Sequence, residues 1–186
     1  MKKTLPWLTG VALVLGAGIV AAVTPAPEAQ DGPFLIHGAA GQPIVARDLI
    51  VQVGEARFSD RITVDDDDWR ADGNWLIVNL SAAAPETEVD AALRLVELVV
   101  DGREFIASEQ PSTSLVGTGL RVGTDTEGMV AFELPDDLSA GDAEIRLSTA
   151  YSTPNLDDVI VVPLELDGLP RGHSVEIAEP SIEGAP

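Results

Sequence analysis

The chain has 186 residues, no cysteine, and a composition that is 45% hydrophobic but only 4% aromatic. Its core must therefore come from Val, Leu, Ile and Ala, and disulfides, thiolate metal sites, cysteine catalysis and lipid attachment through a lipobox cysteine are excluded. The only lysines are Lys2 and Lys3; beyond Val23, nine arginines stand against thirty-one acidic residues, a balance of −22, which serves solubility and excludes nucleic acid as a partner by repelling phosphate backbones.

Met1 to Val23 reads MKKTLPWLTGVALVLGAGIVAAV, two lysines ahead of an apolar run over Leu5–Val23. Two readings stand. A cleavable signal peptide would use Trp7–Ile19 as its apolar region and Val20-Ala21-Ala22 as its small-residue site. An uncleaved signal-anchor would use all of residues 5–23, about the length that spans a bilayer, with Lys2 and Lys3 kept cytoplasmic. Pro25 and Pro27 make later cleavage sites awkward and incline the reading to the anchor. Both readings place Thr24 onward outside the cytoplasm. Residues 24–43 are rich in Pro, Gly and Ala without periodicity, and read as a linker. Within it Phe34-Leu35-Ile36 can dock on the domain, and His37 is an exposed linker histidine.

The folded domain is expected over 44–166. Leu49, Val51 and Val53 alternate with Ile50, Gln52 and Gly54 as in a strand. Glu55 to Val64 continues as a second extended piece, broken around Ser59-Asp60. Asp65, Asp66, Asp67 and Asp68 follow; four like charges in a row repel one another and predict a loop. A calcium loop of the EF-hand kind beginning at Asp68 would have Asp72 and Gly73 at the right places, but Arg70 at its third position and Asn79 at its twelfth break the pattern. Asp65–Asp68 and Asp72 are thus weak metal candidates, with Asp136 and Asp137 as further acidic residues, and the expectation is a solvated loop with no bound metal.

Asp72-Gly73-Asn74 reads as a turn. It leads into the run Trp75–Leu80, around which the domain is organised. Leu76, Val78 and Leu80 form a wholly apolar side expected to face the core, while Trp75, Ile77 and Asn79 form a mixed, half-covered side. Ala82 to Ala92 is a connection with room for a short helical turn. A strand over Leu93–Val100 is followed by Asp101-Gly102 and Arg103–Ile106, a strong hairpin signal. Ser108 to Gly119 is turn-rich. Its Ser112, Thr113 and Ser114 lack the sharp G-x-S-x-G turn of a serine nucleophile, and the only histidines, His37 and His173, lie in the linker and the tail. No catalytic residue and no cofactor are expected. Met129–Leu134 is a strand stopped by Pro135-Asp136-Asp137, and Ala143–Thr149 alternates cleanly as a half-exposed strand. Val159–Leu166 closes the domain, with Pro163 demanding an edge or a bulge. Residues 167–186 read as a tail that lies along the sheet at Val175-Glu176-Ile177.

Seven to nine short strands without a long helix predict an all-β domain, an antiparallel immunoglobulin-like β-sandwich behind an N-terminal hydrophobic helix; the alternative is a small closed barrel.

Asn74–Ala82, Leu98–Ala107 and the stretch Leu120–Leu134 ahead of Pro135, in that order, resemble the DUF4352 group of bacterial exported domains, which are telokin-like and immunoglobulin-like. The likeness is carried by Leu76 and Val78, by Asp101-Gly102-Arg103, and by Gly123, Gly128, Phe132 and Pro135, over roughly Ala46 to Leu166. The family's Asn-rich run after the central strand is here Ala82-Ala83-Ala84. The resemblance implies the fold and export, and no enzyme activity.

The sequence is thus read as an extracytoplasmic, membrane-tethered accessory or protein-binding domain without catalysis. Its partners would be the membrane, through residues 5–23, and another exported or membrane protein. A calcium-responsive acidic module is the alternative, and a hydrolase the weakest reading.

Overall fold

The computed structural model describes residues 5–23, 31–64, 69–151 and 153–182. It divides into two compact units, Met1–Gly32 and Pro33–Pro186. The first contains α1 (Leu5–Val23), nineteen residues without a charged side chain, about 28 Å at 1.5 Å per residue. Its described side chains, Trp7 and Thr9 to Ile19, are exposed. Among the described residues no helix is long and apolar enough to cross a membrane; the side chains at both ends of α1 lie outside that description.

The second unit is a β-sandwich. Its strands are β1 (Phe34–His37), β2 (Pro43–Val45), β3 (Ile50–Val64), β4 (Trp69–Ala83), β5 (Leu95–Val100), β6 (Arg103–Ile106), β7 (Thr126–Leu134), β8 (Asp142–Ser148), β9 (Asp158–Glu165), β10 (Arg171–Gly172), β11 (Val175–Glu176) and β12 (Ser181–Ile182). One sheet has the order β1-β9-β8-β5-β6 and the other β10-β3-β4-β7-β12, with β2 and β11 also on β3. The two sheets stay separate, so the closed barrel is not the fold. Pairing is antiparallel except where β1 joins β9 and where β10 and β11 join β3.

The core between the sheets follows the two-residue period of strands. β4 contributes Leu76, Val78 and Leu80, and β7 contributes Val130, Phe132 and Leu134; across from them stand Val96, Leu98 and Val100 of β5, Ile145 and Leu147 of β8, and Ile160 and Val162 of β9. Along β3 the inward series runs Val51, Val53, then Ala56, Phe58. The skip is a β-bulge, in which Gly54 and Glu55 face Asn79 between the Val53–Leu80 and Ala56–Val78 pairs. The extra residue resets the phase and keeps the apolar set inside.

Several expectations change. Asp72-Gly73-Asn74 is not a turn. β4 runs straight through it, and Gly73 and Asn74 together oppose Asp60 between the Arg61–Asp72 and Ser59–Trp75 pairs. The break expected at Ser59-Asp60 and the turn expected at Asp72–Asn74 are the two sides of one bulge. The expected linker of residues 24–43 contains β1 and the first residue of β2: Phe34–His37 pairs with Asp158–Val161, and Pro43–Val45 with Ile50–Gln52. Gly38 marks how tightly this segment packs, since a Cβ there would sit 2.2 Å from Ile44 Cδ1.

The side of β4 expected to be half covered is buried at Trp75 and Ile77, 2% and 0% exposed. Ile62, Val64, Ala131, Val175 and Ile177 make a second small core with them, so the tail does lie on the sheet at Val175–Ile177. The hairpin at Asp101-Gly102 is present, with Val100 paired to Arg103 and φ of 50° and 75° at the two turn residues, the left-handed pair of a type I′ turn. Pro163 sits on the half of β9 that runs past β1, whose pairing ends at Val161, so its missing N–H falls on an open edge.

Candidate functional site

The described acidic candidates, Asp72, Asp136 and Asp137, form no metal-holding group. Asp65, Asp66, Asp67 and Asp68 lie outside the described residues. Asp72 is engaged by Arg61, whose Nε donates to Oδ1 at 2.5 Å, and this bond holds the Asp72 carboxyl below the ordinary carboxylate range. Asp136 and Asp137 follow β7 in an exposed turn. Among the described residues, no group of three or more His, Asp or Glu is placed to hold a metal ion.

The nucleophile candidates are tied to structure. Thr113 is buried and its hydroxyl donates to the Ile177 carbonyl. Ser114 Oγ accepts from Val116 N at 3.3 Å. His37 ends β1 on the surface. The His173 side chain is 93% exposed and its Nδ1 lies 3.3 Å from Asp60 Oδ2.

The best-organised polar cluster surrounds the bulge at Asp60. Arg171 donates to Asp60 Oδ1 at 3.0 Å and to Asn74 Oδ1 at 2.7 Å. Asn74, 5% exposed, donates through Nδ2 to the carbonyls of Pro135 and Leu138, both at 2.7 Å. The Arg171 guanidinium lies 4.9 Å from the centroid of the Phe58 ring. Bonds from Arg171 and then His173 pull the Asp60 carboxyl below its ordinary value. These bonds fasten the tail to the sheet, and an open hollow of about 380 Å³ lies against the cluster between Asp60, Asn74, Asp136 and Arg171.

Two further open clefts lie among the described residues. One, of about 440 Å³, lies between Gln52, Glu55, Asn79 and Glu127 on the outer face of the β3–β4–β7 sheet and Ala178 and Glu179 of the tail. The other, of about 360 Å³, lies at the loop end between Arg47, Pro85, Val89 and Tyr151. Tyr151, 73% exposed, stacks on the Arg94 guanidinium at 3.7 Å.

Sheet edges differ sharply in how they are guarded. β3 is capped by β2, by β10 and by β11, with Gly41 N–H on the Val53 carbonyl between them. β7 is capped by β12 and by the N–H groups of Leu115 and Ser108. β6 is four residues long and carries Arg103 and Glu104. β1 is the exception: Phe-Leu-Ile-His, without an acidic residue or arginine, and with Phe34 and Leu35 53% and 51% exposed. Sequence reasoning saw the docking apolar triplet but not the strand, because the surrounding Pro and Gly gave no period to read.

No protein-family model and no curated protein matches the chain. Among solved structures it is similar to an uncharacterized β-sandwich protein from Clostridium difficile 630, with a TM-score of 0.47 and 11% identity over 76% of this chain and 99% of that one. It is also similar to the yjhA protein from Bacillus subtilis, with a TM-score of 0.43 and 13% identity over 68% of this chain and 99% of that one.

Proposed function

We propose that the protein is a non-catalytic, protein-binding accessory domain displayed outside the cytoplasm on a membrane anchor; its resemblance to exported telokin-like domains implies the export and the lack of catalysis. The observation that carries the reading is the pairing of a separate, uncharged nineteen-residue helix with a sandwich whose polar clusters serve its own fastening and whose β1 edge is left open. Lys2 and Lys3 before the helix orient it with the sandwich outside.

The test is protease access in wall-stripped, intact cells. The sandwich should be released by added protease while a cytoplasmic marker survives, and membrane fractions should retain α1. Protection of the sandwich would overturn the topology; quantitative release of the intact domain into the medium would replace the anchor with a cleaved signal peptide.

A further inference from the structure

We propose that β1 is a strand-addition site, and that its occupant is an extended segment of a different protein, apolar in its middle and basic at its ends. This rests on the protein-binding reading above and gives it a place and a chemistry.

The backbone of β1 shows which groups are free. Phe34 N–H donates to the Asp157 carbonyl and Gly38 N–H to the Val161 carbonyl, both on the β9 side. Along a strand the backbone groups of successive residues point to opposite edges. Phe34, Ile36 and Gly38 therefore serve β9, and Leu35 and His37 turn their N–H and C=O groups outward. Exposed edges of this kind are templates for another strand, and proteins usually blunt them with charge, proline, short strands or a covering segment. This domain uses proline, charge and covering segments elsewhere: Pro163 on the free half of β9, Arg103 and Glu104 on β6, which is as short as β1, and covering segments on β3 and β7. Against that background β1, with two half-exposed apolar side chains and no acidic residue or arginine, is the edge left available among the described residues.

The surroundings select the occupant. Leu156, 53% exposed, and Asp157, whose carbonyl accepts from Phe34 N–H, stand on the β9 side at the Phe34 end of β1, and the domain as a whole is strongly acidic. A second copy of the chain would bring another field of −22 against the first. A basic-ended segment of another protein gains from the same field through steering and end contacts.

The experiment uses the full chain in micelles and a synthetic ten-residue peptide with an alternating threonine–valine centre and two lysines at each end. Binding should slow amide exchange at Leu35 and His37 by about tenfold or more while leaving Phe34 and Ile36 unchanged, and the same peptide ended in glutamates should bind about tenfold more weakly. Leu35→Pro removes an outward N–H that β9 does not use, so it should weaken binding by about tenfold or more without lowering the melting midpoint. Should that variant unfold, a peptide N-methylated at alternate amides tests the same bonds from the other side and should not bind. Absence of binding, binding that survives Leu35→Pro or the N-methylation, or protection centred elsewhere would overturn the proposal. Self-association of the chain abolished by Leu35→Pro would replace the occupant with a second copy. The protease experiment decides the tether independently of all these outcomes.

Discussion

Val78 and Asn79 are neighbours on β4 with opposite surroundings. Val78 is 0% exposed between the sheets, whereas Asn79 is half-buried beside the outer cleft. Val78→Asp should therefore abolish cooperative folding, since an unpaired buried carboxylate costs several kcal/mol against a total stability of about 5–15. Asn79→Asp should shift the denaturation midpoint little, a change within about 1 kcal/mol. Equal tolerance at the two positions, measured by urea unfolding, would reverse the facing of β4. The acid run is tested at the same scale. A micromolar calcium site on Asp65–Asp68 would add roughly 4 kcal/mol at millimolar free ion and raise the melting midpoint by about ten degrees. We expect calcium to exceed magnesium by only about a degree or two at equal ionic strength, and Asp66→Asn with Asp68→Asn to leave that difference unchanged. A large calcium-selective shift lost in the double variant would establish a metal site instead.

The tail is the element whose role the sequence concealed most. β10 and β11 are two residues each, too short to hold by their ladders alone, yet Val175 and Ile177 close the second core over Trp75 and Ile77. Arg171 ties the same segment to Asp60 and Asn74. Deleting residues 171–186 should expose Trp75, shift tryptophan emission to the red, and destabilise the domain by about 3–5 kcal/mol, as for loss of a large buried aromatic contact; unchanged emission and midpoint would mean the strap contributes nothing. Periodicity revealed the inward face of β4 because that information is local. It could not reveal the cover on the outer face, which comes from about 100 residues downstream of Trp75. The hairpin at Asp101-Gly102 was legible for the converse reason, since two adjacent residues with positive φ define it. Gly73-Asn74 carried the same kind of signal and made a bulge instead, because β3 continues alongside and supplies partners on both sides of the irregularity. Glycine and asparagine announce unusual backbone, not whether the chain reverses. The β1 edge was half legible: its apolar triplet stood out, but its partner β9 lies more than 120 residues away.

For the whole molecule, charge and specific carboxyls act in different pH windows. Asp60 and Asp72 have folded-state values held below normal by their hydrogen bonds to Arg171 and Arg61. A depressed carboxyl contributes stability that is fully present above the unfolded value, about 3.9, and is lost as pH falls from there through the folded value. Glu97 is shifted the other way. Burial on β5 raises it first, and the neighbouring Glu104 adds to the rise, against the pull of Arg146. Its contribution is therefore fully present below the unfolded value, about 4.3, and is lost as pH rises through the folded one; at neutral pH the ionised Glu97 opposes folding. Repulsion within the −22 field has the same sign as the Glu97 effect, because protonating carboxylates relieves it. The melting midpoint should accordingly rise from pH 7.5 to a maximum near about pH 5 and fall below about pH 4. Glu97→Gln should reduce the rise, and Asp60→Asn should reduce the fall. High salt screens the long-range field more than the half-buried Glu97, so the part of the rise that survives salt should be the part removed by Glu97→Gln. A midpoint that is highest at or above neutrality would show that the paired carboxylates outweigh the field, and a rise that Glu97→Gln leaves untouched would assign it to net charge alone.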